Sequence, residues 1–318
     1  MQTNDSIGLP PVGVSGTVIG IWAEKADGTR RHLAGPFPNL VLDSGLDGMM
    51  GSGGSGPASG GAIYLSTDNT APTNSGSGPS SPVAIAGVSS SSSTTTAAVT
   101  VGSDTYTRLR KTKTATGAIG GNTGTWASLL FRMADYSGSV YSWNFAHSLI
   151  KDGGGSPTTV TALSDERIVV QWAFDFYVKE TPTVQATTIL GNATNISWRP
   201  TALNSSSSWF ELLYQVSPLR SSALNSSSTP VTLTGGLPGG NLRTSNGTHV
   251  TYTPGSFSRT ANYSAGVGSA GTINSVTLYA GYGLWQGILD VPITIIDANT
   301  FTWSLTMTMA RATDLGIS

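Results

Sequence analysis

Three histidines, His32, His147 and His249, are the side chains of this sequence best suited to bind a metal or move a proton near neutral pH. They stand in three separate segments. None has a partner at the i, i+4 spacing of a helix or the i, i+2 spacing of a strand that makes a metal pair. Each therefore reads as a lone surface or core histidine. The chain has no cysteine, which removes disulfides, thiolate catalysis and cysteine-ligated zinc. Carboxylates are few. Asp165-Glu166 and Asp297 occupy turn-like sequence before two apolar strands, with Asp135, Asp152 and Asp175 near the first of them. A glycosidase needs two carboxyls facing each other across a sugar. This spacing does not require that, and turn formation is the simpler role for these aspartates.

Phosphate chemistry has no better footing. The GxGxxG matches at Gly51-Gly53-Gly56 and Gly266-Gly268-Gly271 precede no helix that could aim its N-terminus at a pyrophosphate. No Walker GK[ST] motif and no GxSxG nucleophile elbow occurs. The nearest basic patch, Arg108-Leu-Arg110-Lys111-Thr-Lys113, reads as a solvated strand face first and a phosphate contact second. Formal net charge is −1, so no field attracts nucleic acid. Several N-x-[ST] sequons, among them Asn192, Asn195, Asn204, Asn225, Asn246 and Asn262, are coincidental in so Ser/Thr-rich a chain. The expectation is no catalytic residue, no cofactor and no metal. Aromatics beside loops are the remaining candidates: Trp209, Phe210, Tyr279, Tyr282 and Trp285 could stack on host glycan or on a neighbouring subunit. Core packing is the competing role for all five.

What must position these residues is a β framework. The 318 residues suffice for about two domains. Only 10% are charged, against a usual ~25%, and Gly, Ser and Thr take their place. With 8 Trp, 10 Tyr and 8 Phe the chain can still build a core, unlike a disordered sequence. No signal peptide is evident, and without a run of ~18 apolar residues no transmembrane helix is expected.

Residues 1–15 read as an irregular arm, broken by Pro10-Pro11. A hairpin is expected around Ala26-Asp27-Gly28-Thr29, because Asp-Gly is a strong turn signal. One short helix is expected near 43–50, weakened by Gly45 and Gly48. Residues 74–98, which include the Ser/Thr tract 89–96, read as a long flexible loop, or as a strand edge that another chain orders.

Residues 167–179 alternate strongly. Ile168, Val170, Trp172, Phe174, Phe176 and Val178 take the apolar face. The last strand repeats the theme with Phe301, Trp303, Leu305, Met307 and Met309, opposite Thr302, Ser304, Thr306 and Thr308. Residues 161–176 align without gaps against 294–309, a weak internal repeat. The reading is all-β: two antiparallel β-sandwich-like domains, 16–180 and 181–318, with long Gly/Ser loops.

The run PNLVLDSGLDGMM after a hairpin resembles an opening found in tailed-bacteriophage virion proteins. So does Leu149, Ile150, Asp152, Gly155, Pro157, Thr158, Thr159, Thr161, Glu166, Ile168, Val170 and Trp172. The resemblance covers about residues 15–180. It implies a structural tail, tail-fibre or minor tail component, located in the virion and assembled in the bacterial cytoplasm. The partners it implies are further copies of the chain, other phage tail or neck proteins, and host surface glycan in a receptor-binding version. A capsid decoration protein is the alternative placement, and a polysaccharide depolymerase the alternative of a different class. The family brings no catalytic residues with it.

Overall fold

The computed structural model describes residues 6–50, 61–85, 88–133, 143–189, 191–201, 219, 221–232, 239–266, 270–279, 285–296 and 301–317. It is all-β and sandwich-like, with one α-helix. The chain runs β1 (Ser6–Gly8), β2 (Val12–Lys25), β3 (Arg30–Ala34), β4 (Phe37–Val41), α1 (Asp43–Met50), β5 (Gly61–Ser66), β6 (Val83–Ala84), β7 (Val88–Val101) and β8 (Asp104–Thr116). It continues through β9 (Gly124–Trp126), β10 (Ser128–Met133), β11 (Trp143–Leu149), β12 (Val160–Ala162), β13 (Glu166–Lys179), β14 (Thr183–Ile189), β15 (Asn192–Pro200) and β16 (Ser221–Asn225). It closes with β17 (Asn241–Asn246), β18 (Thr248–His249), β19 (Ser258–Ala265), β20 (Gly271–Tyr279), β21 (Trp285–Ile295) and β22 (Phe301–Arg311).

The Asp-Gly turn forms as its sequence requires. Gly28 N–H donates to Lys25 O at 3.0 Å, Asp27 Oδ1 accepts Thr29 N–H at 2.8 Å, and Gly28 takes φ +86°. The expected arm is not irregular throughout. Ser6–Gly8 pairs in parallel with β22, and β2 already begins at Val12. Pro10-Pro11 only interrupts the ladder between two strands, because Ile7, Leu9, Val12 and Val14 all bury their side chains.

One continuous ladder of fourteen strands folds over on itself. Its spine is β18-β19-β22-β2-β4-β11-β10-β5-β6, with β13, β8 and β7 added in turn beside β2. From β13 to β10 there are four hydrogen-bonded steps, which would span about 19 Å in a flat sheet. Yet the Trp172 ring of β13 stacks on Phe131 of β10 with centroids 4.3 Å apart. The two strands must face each other across a sandwich, with Phe145 and Phe174 also against the indole.

A six-stranded sheet, β14-β15-β21-β20-β16-β17, follows position 180, and β18, β19 and β22 then cross back into the large sheet. Trp303 of β22 ties the two sheets: its Nε1–H donates to Ser222 Oγ at 3.0 Å, and its ring stacks on Tyr263.

The expected apolar faces of both long strands are buried, Phe301 lying outside the described side chains. On β22 the opposite face stays partly open, with Thr306 and Thr260 hydroxyls 2.7 Å apart. On β13 it does not. Val169, Ala173, Asp175 and Tyr177 are buried as well, and at Tyr177 the cover is Tyr106, Val99, Val101 and the terminal turn Ala312–Ile317. The two strands also sit differently, β13 antiparallel to β2 and β22 parallel to it.

The basic patch on β8 is less solvated than its sequence suggests. In the antiparallel register Lys113 lies opposite Trp172 and Lys111 opposite Phe174, so both leave the strand on the core side. Lys113 is 8% exposed. Burial, reinforced by the Lys111 charge, holds its ammonium down at about 8 instead of 10.5. A lysine whose folded value is lowered destabilises the fold while charged. Here the penalty is about 3 kcal/mol below pH 8, and it disappears as pH rises from 8 to 10.5. Lys113→Met is therefore expected to be more stable than the parent at pH 7 and to lose that gain by pH 10.5. Urea unfolding of both proteins across this range measures it, and parallel pH profiles would contradict it.

Candidate binding cleft

The helix α1 exists because of what lies beneath it. Leu46, Met49 and Met50 turn inward, and Gly45 lets the backbone rest on β11. A Cβ at Gly45 would stand 2.5 Å from Phe145 O, so the glycine that lowers helix propensity is what permits the packing. Asp43 takes an ion pair from Arg311 of β22, whose Nε–H also donates to Val41 O at 2.7 Å.

The outward side of α1 forms one wall of a cleft of about 720 Å³, within the ~300–1,000 Å³ range of small-ligand sites. Ser44 and Asp47 come from the helix, Trp143 from the start of β11, and His249 to Tyr252 with Pro254 from β18 and the turn that follows. Arg259 of β19 closes the base. Asp47 holds that turn in place: its Oδ1 accepts the Tyr252 hydroxyl and the Gly255 N–H, the latter at 2.8 Å. Burial and this carboxylate together push the Tyr252 phenol well above its ordinary value, so it stays a neutral donor.

Arg259 Nε–H donates to His249 Nδ1 at 3.0 Å, and its Nη1–H donates to Met50 O at 2.8 Å. The first bond makes Nδ1 an acceptor and places the imidazole proton on Nε2. Burial, then the Arg259 charge, pulls the His249 value below the ordinary one. The second bond satisfies a carbonyl at the C-terminus of α1, where a cation is favoured. The cleft thus offers a neutral histidine, a cation, a carboxylate and two aromatic rings.

A smaller cleft of about 420 Å³ lies between β4 and β11 and is lined in part by Asn39, His147, Ser148 and Lys151. His147 is buried, its Nε2 without a partner among the described residues, and burial lowers its basicity against the opposing charge of Asp68. His32 is exposed on β3, edge-on to Trp22. The three histidines occupy three places. Among the described residues no group of three His, Asp or Glu could hold a metal ion, and no helix is long and apolar enough to cross a membrane.

Several carboxylates named from the sequence are committed to ion pairs. Glu166 accepts from Arg31 at 2.8 Å, Asp165 from Lys25 at 2.9 Å and Asp175 from Arg110 at 2.7 Å. Of the aromatic candidates, Trp285 is not available to a glycan or a neighbour: it is 0% exposed. It sits beside a loop in sequence but is the first residue of β21, in phase with the inward Leu289, Ile293 and Ile295. Trp209, Phe210 and Tyr282 lie outside the described residues, as does the side chain of Tyr279. Sequence reasoning missed Trp143, Tyr252 and Arg259. Asp47 and Tyr252 are 205 positions apart, and no local pattern joins them.

No family model, no curated protein and no solved structure matches the chain.

Proposed function

We propose that the chain is a structural component of a tailed phage particle, attached to the tail, neck or baseplate and assembled there as a homo-oligomer. The observation that carries this reading is the free edge of β7. The strand is 14 residues long and pairs with β8 alone among the described strands. Its sequence, VSSSSSTTTAAVTV, contains no charge and no proline. Proteins that remain monomers protect long edges with lysine, proline or short strands, because a row of unpaired N–H and C=O groups recruits other chains. An assembly protein has no such need, since the edge is its joint. The sequence resemblance at 147–172 supports the same reading.

Immunogold electron microscopy of purified particles, with an antibody raised against this chain, tests it. Label on the tail, neck or baseplate is the expected result. Label confined to fibre tips would transfer the chain to receptor binding, and label on heads to capsid decoration. Intact particles without label would overturn the virion reading.

A further inference from the structure

The Arg259 guanidinium is the part of the cleft that its structural contacts do not use up. Arg259 is 6% exposed, and its hydrogen-bond partners are an imidazole nitrogen and a backbone carbonyl. Among the described residues no carboxylate pairs with it, whereas the similarly buried Arg311 pairs with Asp43 and Asp314. A buried cation without a counter-charge is costly, and the same low-dielectric setting strengthens its attraction for an arriving anion. Burial also lowers the guanidinium's ordinary value, the sign of an uncompensated charge.

The walls narrow the class of anion. Trp143 and Tyr252 line the cleft, and aromatic rings suit the C–H face of a sugar. Asp47 spends Oδ1 on Tyr252 and Gly255, and Oδ2 can accept from hydroxyls. A bare phosphate would use Arg259 and leave both rings uncovered. A neutral sugar would cover the rings and leave the cation unpaired. We infer that the cleft binds an acidic saccharide, with the sugar carboxylate on Arg259 and its ring against Trp143 and Tyr252. This rests on the geometry of the cleft and not on the virion reading, so either can fail alone.

Isothermal titration of the full chain with a galacturonate oligomer, a neutral oligosaccharide of the same length and inorganic phosphate tests the inference. The galacturonate oligomer is expected to bind saturably and at least about tenfold tighter than the other two, the difference of one charge-assisted pair. Equal affinity for the neutral oligomer, tighter binding of phosphate, or no galacturonate binding at about 10 mM would each overturn it. That comparison needs no variant. Arg259→Gln is then expected to lower galacturonate affinity about tenfold or more, with Arg259→Lys recovering part of it as a point charge. Full affinity in a folded Arg259→Gln protein would also overturn the inference. A purely structural Arg259 would shift the melting temperature and leave the acidic-over-neutral ratio unchanged.

Discussion

Trp172→Ala is expected to cost about 3–5 kcal/mol, the range for a large aromatic removed from a core. The indole is 4% exposed and touches Phe131, Phe145 and Phe174, which come from three strands and both layers of the sandwich. The three remaining rings cannot close over the missing volume without leaving their own contacts, so the site collapses poorly. Trp172→Phe is the informative control. Among the described residues the buried indole Nε1–H has no hydrogen-bond partner, and phenylalanine removes that unsatisfied donor while keeping a ring on Phe131. Its cost is expected to stay below about 1.5 kcal/mol. Urea denaturation of the three proteins measures both values. A melting shift of only a degree or two for Trp172→Ala would contradict the two-layer core.

Arg110→Met is the second large effect. Asp175 is buried at 1% exposure on the covered back of β13, and Arg110 directly opposite on β8 gives it two hydrogen bonds, at 2.7 and 2.8 Å. Removing the arginine leaves a buried carboxylate without its ion-pair partner, which costs about 3–5 kcal/mol. The reverse change, Asp175→Leu, leaves a guanidinium whose side chain is 27% exposed and can turn toward water, so its cost is smaller. The double variant Arg110→Met/Asp175→Leu replaces the pair by apolar groups and is expected to recover most of the single-variant loss. A double-variant stability equal to the sum of two full losses would show that the pair is not coupled.

These two sites mark the limits of reading the sequence. The period-two pattern of 167–179 was sufficient to find the strand and its core face, because antiparallel strands alternate by geometry. It could not show that the other face is covered as well. At Tyr177 that cover comes from Tyr106 and from the terminal turn around Ala312 and Ile317, over 130 positions away in the latter case. The short helix was legible from Asp43 onward, but Gly45 spoke against it until Phe145 appeared beneath. For residues 74–98 a strand edge was one of two readings, since composition does not say whether Ser/Thr runs pair. The cleft was not legible at all. Its members come from α1, β11 and the β18–β19 turn, and each alone is an ordinary aspartate, tryptophan or arginine. Trp285 misled in the opposite direction, because adjacency to a loop says nothing of the phase in which a strand begins.

The most direct test of the account is whether β7 joins one copy of the chain to another. Thr96 and Ala98 are exposed on that strand, and lysine at both would charge the edge. Multi-angle light scattering of the full chain and of Thr96→Lys/Ala98→Lys, at matched concentration and with melting curves to show that both are folded, decides it. The account predicts a discrete homo-oligomer for the parent chain and a monomer for the charged-edge variant. A parent chain that stays monomeric at high concentration, or a variant that assembles as well as the parent, would contradict it.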